Sequence, residues 1–409
     1  MKALVLAGGF PQIALINELR SRGMKVLLAD YFPNPIAKYA ADFFYQKSTL
    51  DLDEIRNIAI NENVDLIITV CTDQAMLTVA NLSEELHLPC YISAEAANNV
   101  TNKMYMKNIF KLYKIPTSSF LTIRDISEYK EILNCLNFPL VVKPVDCNSS
   151  KGVIKVHDIN SLISALGDAI HLSRTKTAIV EEYINGCELT VDAFVINGTA
   201  KVLSISQDQK IQSEDRFIIY RYDYPAGISK VVAEKISHYA QVIADAFRLV
   251  NCPMLIQLIY RDEEIFILEF SARTGGGLKH KLICEATSVD IIKATVNMTL
   301  GIEEEINIKN THIRIRNEFI YCYPGVFSDF QGVQELVANG TIHGFYPFKN
   351  PGERFEKVEN SGDRVAGFML VGKTAEEIKT KHNIVVENIK VIASDGKDIM
   401  RHDLLTSEE

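Results

Sequence analysis

The chain has 409 residues, a net charge of −9 and 47% hydrophobic residues, which suits two or three globular domains around a common cleft. The acidic balance argues against a nucleic-acid partner, because phosphate backbones are held by clustered Lys and Arg. No apolar run reaches the roughly 18 residues of a membrane span, and eight cysteines without a CxxC pair argue against zinc and fit a reducing, cytoplasmic setting.

From the N-terminus, an apolar strand (KALVLAGG), a helix-like stretch (FPQIALINELRSRG) and a second strand (MKVLLADY) read as a βαβ opening. The turn Ala7, Gly8, Gly9 lacks GxGxxG spacing, so a dinucleotide dehydrogenase is poorly supported. A third apolar run, VDLIITVCTD, and the periodic DQAMLTVANLSEELHLP complete an expected doubly wound α/β unit over residues 1–95.

In TNKMYMKNIFKLYKIP, Lys103 and Lys107 lie one helical turn apart, and Lys107 is expected on a solvated face. The run NFPLVVKPVDCNSSKGV puts Lys143 at the end of a buried strand, before a loop containing Ser149, Ser150 and Gly152. Backbone N–H groups of such a loop can approach phosphate oxygens, although the Walker order is absent. In EEYINGCE a strand ends at Glu181, Glu182, Tyr183 and Ile184, turns at Asn185 and Gly186, and resumes at Glu188. The exposed backbone there offers a donor and an acceptor to a planar ring edge, while a plain hairpin with a wet acidic face is the alternative.

Residues 206–229, rich in charge and tyrosine, are expected to form an irregular loop at a substrate pocket, with Lys210 and Arg221 as partners for a carboxylate. MLIQLIYRDEEIFILEFSARTGGG, residues 254–277, then reads as a β-hairpin turning at Arg261 to Glu264. Alternation places Glu269, Ser271 and Arg273 on one face, with Gln257 as the cross-strand neighbour of Glu269. Two oxygen ligands would converge there on one hard cation that takes its remaining ligands from water and phosphates. Gly276 in the glycine run and Lys279, His280 and Lys281 after it fall at an expected helix start, where amide groups favour anions, and are candidates to line the substrate site and hold the second substrate's carboxylate or a phosphate oxygen. Residues 306–409 alternate strands with turns and one helix-like stretch, TAEEIKTKHNIVV, an α+β portion in which Gly362 and Arg364 fall in a turn without an assigned role.

Lys103, then Lys143 with its Ser/Gly loop, then EEYINGCE, then Gln257 with Glu269 and Arg273, resembles the ATP-grasp superfamily across most of the chain. Within it, the length and the EFSARTGGG ending look most like the carboxylate-amine ligases, including L-amino-acid ligases. The layout is also similar to biotin carboxylase and carbamoyl phosphate synthetase. The resemblance implies an ATP-grasp fold, α/β and α+β, with a preceding doubly wound domain (1–95), an ATP-grasp region (96–305, lid about 117–182) and a C-terminal portion (306–409). It implies that Lys103 and Lys143 contact ATP phosphates under a loop at Ser149 to Gly152. It further implies that the backbone of Glu181, Glu182 and Ile184 holds adenine, Glu188 the ribose, Gln257, Glu269 and Ser271 the Mg²⁺ (or Mn²⁺), and Arg273 the transferred phosphoryl group. Gln257 stands where the family usually has glutamate, and Ser271 where it usually has asparagine.

The implied activity is ATP-dependent joining of a small-molecule carboxylate, activated as an acyl phosphate, to an amine, in an enzyme for which a homodimer is a common arrangement. The alternatives are a bicarbonate-activating carboxylase or carbamoyl-phosphate-type enzyme, and a non-catalytic ATP-binding module.

Overall fold

The computed structural model describes residues 1–148, 150–211, 217–303, 305–309 and 311–405. Its first part alternates strands and helices: β1 (Lys2–Leu6), α1 (Phe10–Ser21), β2 (Lys25–Asp30), β3 (Phe43–Gln46), α2 (Leu52–Asn61), β4 (Leu66–Ile68) and α3 (Asp73–Glu85). The four strands pair in parallel in the order β3-β2-β1-β4. Their near-continuous apolar sequences follow from helices covering both faces, and Leu4, Leu6, Leu27 and Ile67 pack against α2 and α3 on one of them. The carboxyl ends of β1 and β4 lead to the turn at Ala7 to Gly9 and to Cys71 to Asp73, the edge at which open α/β sheets bind ligands.

Helices α4 (Ala94–Thr101) and α5 (Lys103–Leu112) lead into a small antiparallel sheet built from β5 (Phe120–Ile123), α6 (Tyr129–Cys135), β6 (Leu140–Pro144), β7 (Ile154–Val156), α7 (Ile159–Leu172) and β8 (Ala178–Glu182). The strand order is β5-β8-β6-β7. Asp158 caps α7 by accepting from the Ser161 N–H. The helix then presents Leu162, Ala165, Leu166 and Ala169 on one stripe to Leu140, Val142 and Val180. This layer has its own apolar core over the mouth of the main sheet.

The main sheet comes next, from β9 (Cys187–Ile196), β10 (Thr199–Lys210), β11 (Ile219–Tyr224), α8 (Lys230–Ala246), β12 (Cys252–Arg261), β13 (Glu264–Ser271), α9 (Lys279–Thr287), α10 (Ile291–Thr299) and β14 (Arg314–Ile320). The chain finishes with β15 (Gly325–Gln331), α11 (Val333–Ala338), β16 (Gly344–Pro347), β17 (Arg354–Phe355), β18 (Ala366–Gly372), α12 (Ala375–Asn388) and β19 (Lys390–Ala393). Eight strands are joined in the order β13-β12-β9-β10-β11-β14-β18-β16, so strands from the last quarter of the chain extend the sheet that carries the metal-type hairpin. Val232, Ile236, Ala240 and Ile243 of α8 recur at helical spacing and pack on alternating residues of β9 and β12, with Phe110 of α5 in the same cluster.

One expectation fails here. Residues 206–210 and 219–224 are not irregular loop, because β10 runs on to Lys210 and pairs with β11 through Gln207↔Asp223, Asp208↔Tyr222 and Gln209↔Arg221. The polar composition hid a strand whose two faces serve different purposes. Alternation directs Tyr222 to the cleft, while Arg221 ion-pairs with Asp223 at 2.9 Å and is absent from the lining.

Candidate active site

The cleft between the small antiparallel sheet and the main sheet contains about 1610 Å³ of open space, counted to its mouth. That is ample for a nucleoside triphosphate and a second small ligand. Lys103 opens α5 immediately after Asn102, whose side chain caps the helix by accepting from Met104 N–H. Its ammonium donates to the Cys147 carbonyl at 2.7 Å and pairs with Glu269 at 3.2 Å. Burial pushes the Lys103 pKa down, but the Glu269 carboxylate outweighs it and leaves the group above its ordinary value.

Lys143 and Glu181 lie on one face of the adjacent strands β6 and β8, where Val141 is the register partner of Glu181. Lys143 Nζ is 3.0 Å from the Glu181 carboxylate, and Lys107 Nζ reaches the same carboxylate at 3.3 Å. Lys107 is therefore not solvated as its helical position suggests. It is 1% exposed, because the strand end at Glu181 folds against that face of α5. Ser118 adds a hydroxyl donor to Glu181 at 2.7 Å. Burial alone would raise the Glu181 pKa, yet the two ammonium groups hold it down at about 2. Burial in turn pushes Lys107 down to about 8 against the pull of Glu181.

Glu182, Tyr183 and Ile184 line the cleft. The Glu182 carboxylate accepts from the backbone and side-chain nitrogens of Asn137 at 3.0 and 3.2 Å, and Tyr183 N–H donates to Pro139 O at 2.9 Å. Glu188 is ion-paired with Lys210 and receives Gln257 Nε2 at 3.4 Å. Lys210, expected to meet a substrate carboxylate, thus already holds a carboxylate of its own chain. Ser150 lines the cleft with φ +61° and donates its hydroxyl to Phe217 O at 2.9 Å. Gly152 lies outside the main cleft, in the adjoining recess. Its φ is +71° and a Cβ there would fall 2.7 Å from Leu172, so glycine is required by backbone and space alike. Ser149 lies outside the described residues.

In the hairpin, Gln257 and Glu269 are direct register partners, and a bulge at Leu268 follows them. Both side chains line the cleft. Burial favours protonation of Glu269, but Lys103 and Lys143 keep its pKa below the ordinary value. Arg273 lines the cleft while gripping Asp73 through Nε at 2.8 Å and Nη2 at 2.7 Å. The Ser271 hydroxyl, which also lines the cleft, donates to Asp73. Asp73 escapes a motif reading, yet it sits just past β4 at the carboxyl edge of the N-terminal sheet, the place that topology marks.

Gly276 and Lys279 line the cleft, but His280 does not. Consecutive residues of α9 point about 100° apart, so His280 turns away to pack on the Phe10 ring, centroids 5.6 Å apart. Burial pushes its pKa down to about 3, and neither ring nitrogen has a hydrogen-bond partner among the described residues. Lys281 lies by the Tyr346 ring, 5.9 Å from its centroid. Arg364, without a role in the sequence reading, does line the cleft.

Among the described residues no cluster of three or more His, Cys, Asp or Glu forms a ready-made metal cage. Glu269 and Gln257 fit a sparser arrangement. With the Gln257 amide nitrogen engaged by Glu188, its oxygen and the Glu269 carboxylate are left as two hard donors.

Two facing layers with a lysine-rich cleft between them make an ATP-grasp fold. Residues 136–281 match the family described as ATP-grasp domain. Among curated proteins, phosphoribosylamine–glycine ligase of Lactococcus lactis subsp. lactis is 24% identical over 87% of this chain and 87% of its own length. Among solved structures, L-amino acid ligase from Bacillus licheniformis superposes with a TM-score of 0.80 at 20% identity over 96% of this chain and 98% of that one. The biotin carboxylase domain of Hydrogenobacter thermophilus 2-oxoglutarate carboxylase, determined with MgADP and bicarbonate, gives 0.79 at 14% identity over 99% and 92% of the two chains.

Proposed function

We propose that the protein is an ATP-dependent ligase that activates a small-molecule carboxylate as an acyl phosphate and joins it to an amine, releasing ADP and phosphate. The observation that carries this reading is the meeting of Gln257 and Glu269 at one register, in the same cleft as Lys103, Lys143 and Arg273. Adenine enters against Glu182 to Ile184, where the Ile184 N–H has no hydrogen-bond partner among the described residues. Glu188, oriented by Lys210, faces the ribose hydroxyls. Lys143 and Lys103 neutralise the phosphates, and Ser150 and its neighbours close over them.

A divalent cation, Mg²⁺ with Mn²⁺ as substitute, would be held by Glu269 and the Gln257 oxygen and would supply charge neutralisation at the transferred phosphoryl group. A substrate carboxylate oxygen attacks the γ-phosphorus and the bond to the β–γ bridging oxygen breaks, releasing ADP. The amine nitrogen then attacks the acyl carbon, phosphate leaves, and the amine proton passes to solvent. Arg273, fixed by Asp73, keeps its guanidinium beside the transferred group throughout, which is positioning and electrostatics with no covalent role for the protein. The small sheet over the cleft excludes the water that would hydrolyse the mixed anhydride.

The test is ADP release across paired panels of carboxylates and amines, with product mass as a second readout. ADP and phosphate are expected only when both partners are present. Bicarbonate-dependent turnover without an amine would replace this reading with a carboxylase, and nucleotide binding without turnover on any pair would replace it with a binding module. Within the same site, Lys143→Ala is expected to weaken ATP binding by about 2 kcal/mol, roughly thirtyfold, for the loss of one charged hydrogen bond. Calorimetric titration with a non-hydrolysable ATP analogue checks it, and an unchanged affinity would remove Lys143 from the phosphate site.

A further inference from the structure

Six cationic side chains line the cleft: Lys103, Lys143, Lys210, Arg273, Lys279 and Arg364. Five have carboxylates of their own. Lys103 pairs with Glu269, Lys143 with Glu181, Lys210 with Glu188 and Arg273 with Asp73, while Lys279 lies 4.0 and 3.9 Å from Asp192 and Asp208. Arg364 is 7% exposed and has no acidic partner among the described residues. Its Nε donates to the Tyr321 hydroxyl at 3.0 Å and its Nη2 to the Ile219 carbonyl at 2.8 Å. The guanidinium carbon stacks 3.7 Å from the Phe319 ring centroid. Every neighbour that holds it is neutral.

A buried guanidinium cannot shed its proton and is costly without a counter-charge. The surroundings fix its position without neutralising it. Gly277, at φ +63°, brings the glycine run so close that a Cβ would lie 3.3 Å from Nη1 and 2.8 Å from Phe319. Beside it, a Cβ built on Gly276 meets nothing within 4 Å, so the cleft that Arg364 also lines is open at this glycine, three residues beyond Arg273.

We propose that Arg364 receives the carboxylate of the amine-donating substrate, so that the acceptor is an amino acid or a molecule of that kind. This deepens the ligase reading and rests on it. The carboxylate that is activated loses its charge as the acyl phosphate forms, beside Glu269 and Arg273. A carboxylate on the amine donor keeps its charge through both steps and needs a permanent counter-ion in another place. Tyr321, the Ile219 carbonyl and the Tyr222 hydroxyl engage three of the five guanidinium N–H donors, and the two that remain are enough for the two oxygens of a carboxylate.

The experiment compares a free amino acid with its amide as amine donors, first in the wild-type enzyme and then in Arg364→Met and Arg364→Lys. The wild type is expected to prefer the free acid by about tenfold or more in kcat/KM, the worth of one charge-assisted contact. Arg364→Met should lose that preference while the KM for ATP stays within about twofold, and Arg364→Lys should retain part of it. Equal use of acid and amide by the wild type overturns the proposal without recourse to any variant, and Arg364→Lys, which keeps the charge, carries the comparison if Arg364→Met does not fold. A preference that persists in Arg364→Met, or a changed ATP KM with the preference intact, overturns it too. In each of those cases amine-dependent ADP release still stands and the ligase reading with it; absence of that release from the wild type takes both down together.

Discussion

Glu269→Ala is expected to lower turnover by on the order of 10³-fold while the protein stays folded. In the proposed metal site the carboxylate would be the one anionic ligand from the hairpin, since Gln257 opposite it and Ser271 are both neutral. On that proposal its removal would weaken the cation that neutralises the transferred phosphoryl group. Lys103 keeps the Cys147 carbonyl as a partner at 2.7 Å, so the helix start remains anchored. Glu269→Gln separates reach from charge, because it restores an oxygen at the same distance with no negative charge, and its turnover should fall between wild type and alanine. Steady-state ADP release with saturating substrates gives the ranking, and circular dichroism checks the fold. Activity of the alanine variant within tenfold of wild type would exclude Glu269 as a metal ligand.

Glu181→Gln is expected to destabilise the protein by about 3 to 5 kcal/mol at neutral pH, the usual cost of leaving buried charge uncompensated. Glu181 is 2% exposed and is the shared counter-ion of Lys107 and Lys143. The sign of the pH dependence follows from its depressed pKa, about 2 in the folded chain against an ordinary 4.5. The folded state binds this proton less readily than the unfolded state. The stabilisation is therefore complete above pH about 4.5 and is lost progressively as pH falls toward about 2. The variant has no such contribution to lose, so the gap between the two proteins should narrow between neutral pH and pH 3. Urea midpoints measured across that range test it. A gap below about 1 kcal/mol at pH 7 would mean that water screens the two ammonium groups.

The hairpin was legible because its chemistry is local. Strand alternation and a short turn at Arg261 to Glu264 are enough to set Gln257 against Glu269, and the structure pairs them directly. The doubly wound opening was legible for the same reason, through period and length. What escaped depends on contacts between distant segments. Helical spacing puts Lys107 on the face of Lys103, but nothing near it in sequence announces that Glu181 will close over that face. Asp73 and Arg273 are 200 residues apart, and a lone aspartate after a strand carries no spacing signal. The β10–β11 pair shows a different limit, since alternation says that Arg221 and Tyr222 face opposite ways without saying which one sees the cleft. His280 was misread through helix phase, because one residue's step along α9 separates the cleft from the packing against Phe10.

The eight-stranded sheet draws three of its members from beyond residue 305, and Arg364 reaches the cleft from the turn ahead of one of them, β18. On the proposed roles, nucleotide handling and acceptor choice would come from separate stretches of polypeptide that meet only in the folded molecule. If the roles are divided so, changes in the tail alone could redirect what is joined while the residues proposed to hold ATP stayed as they are.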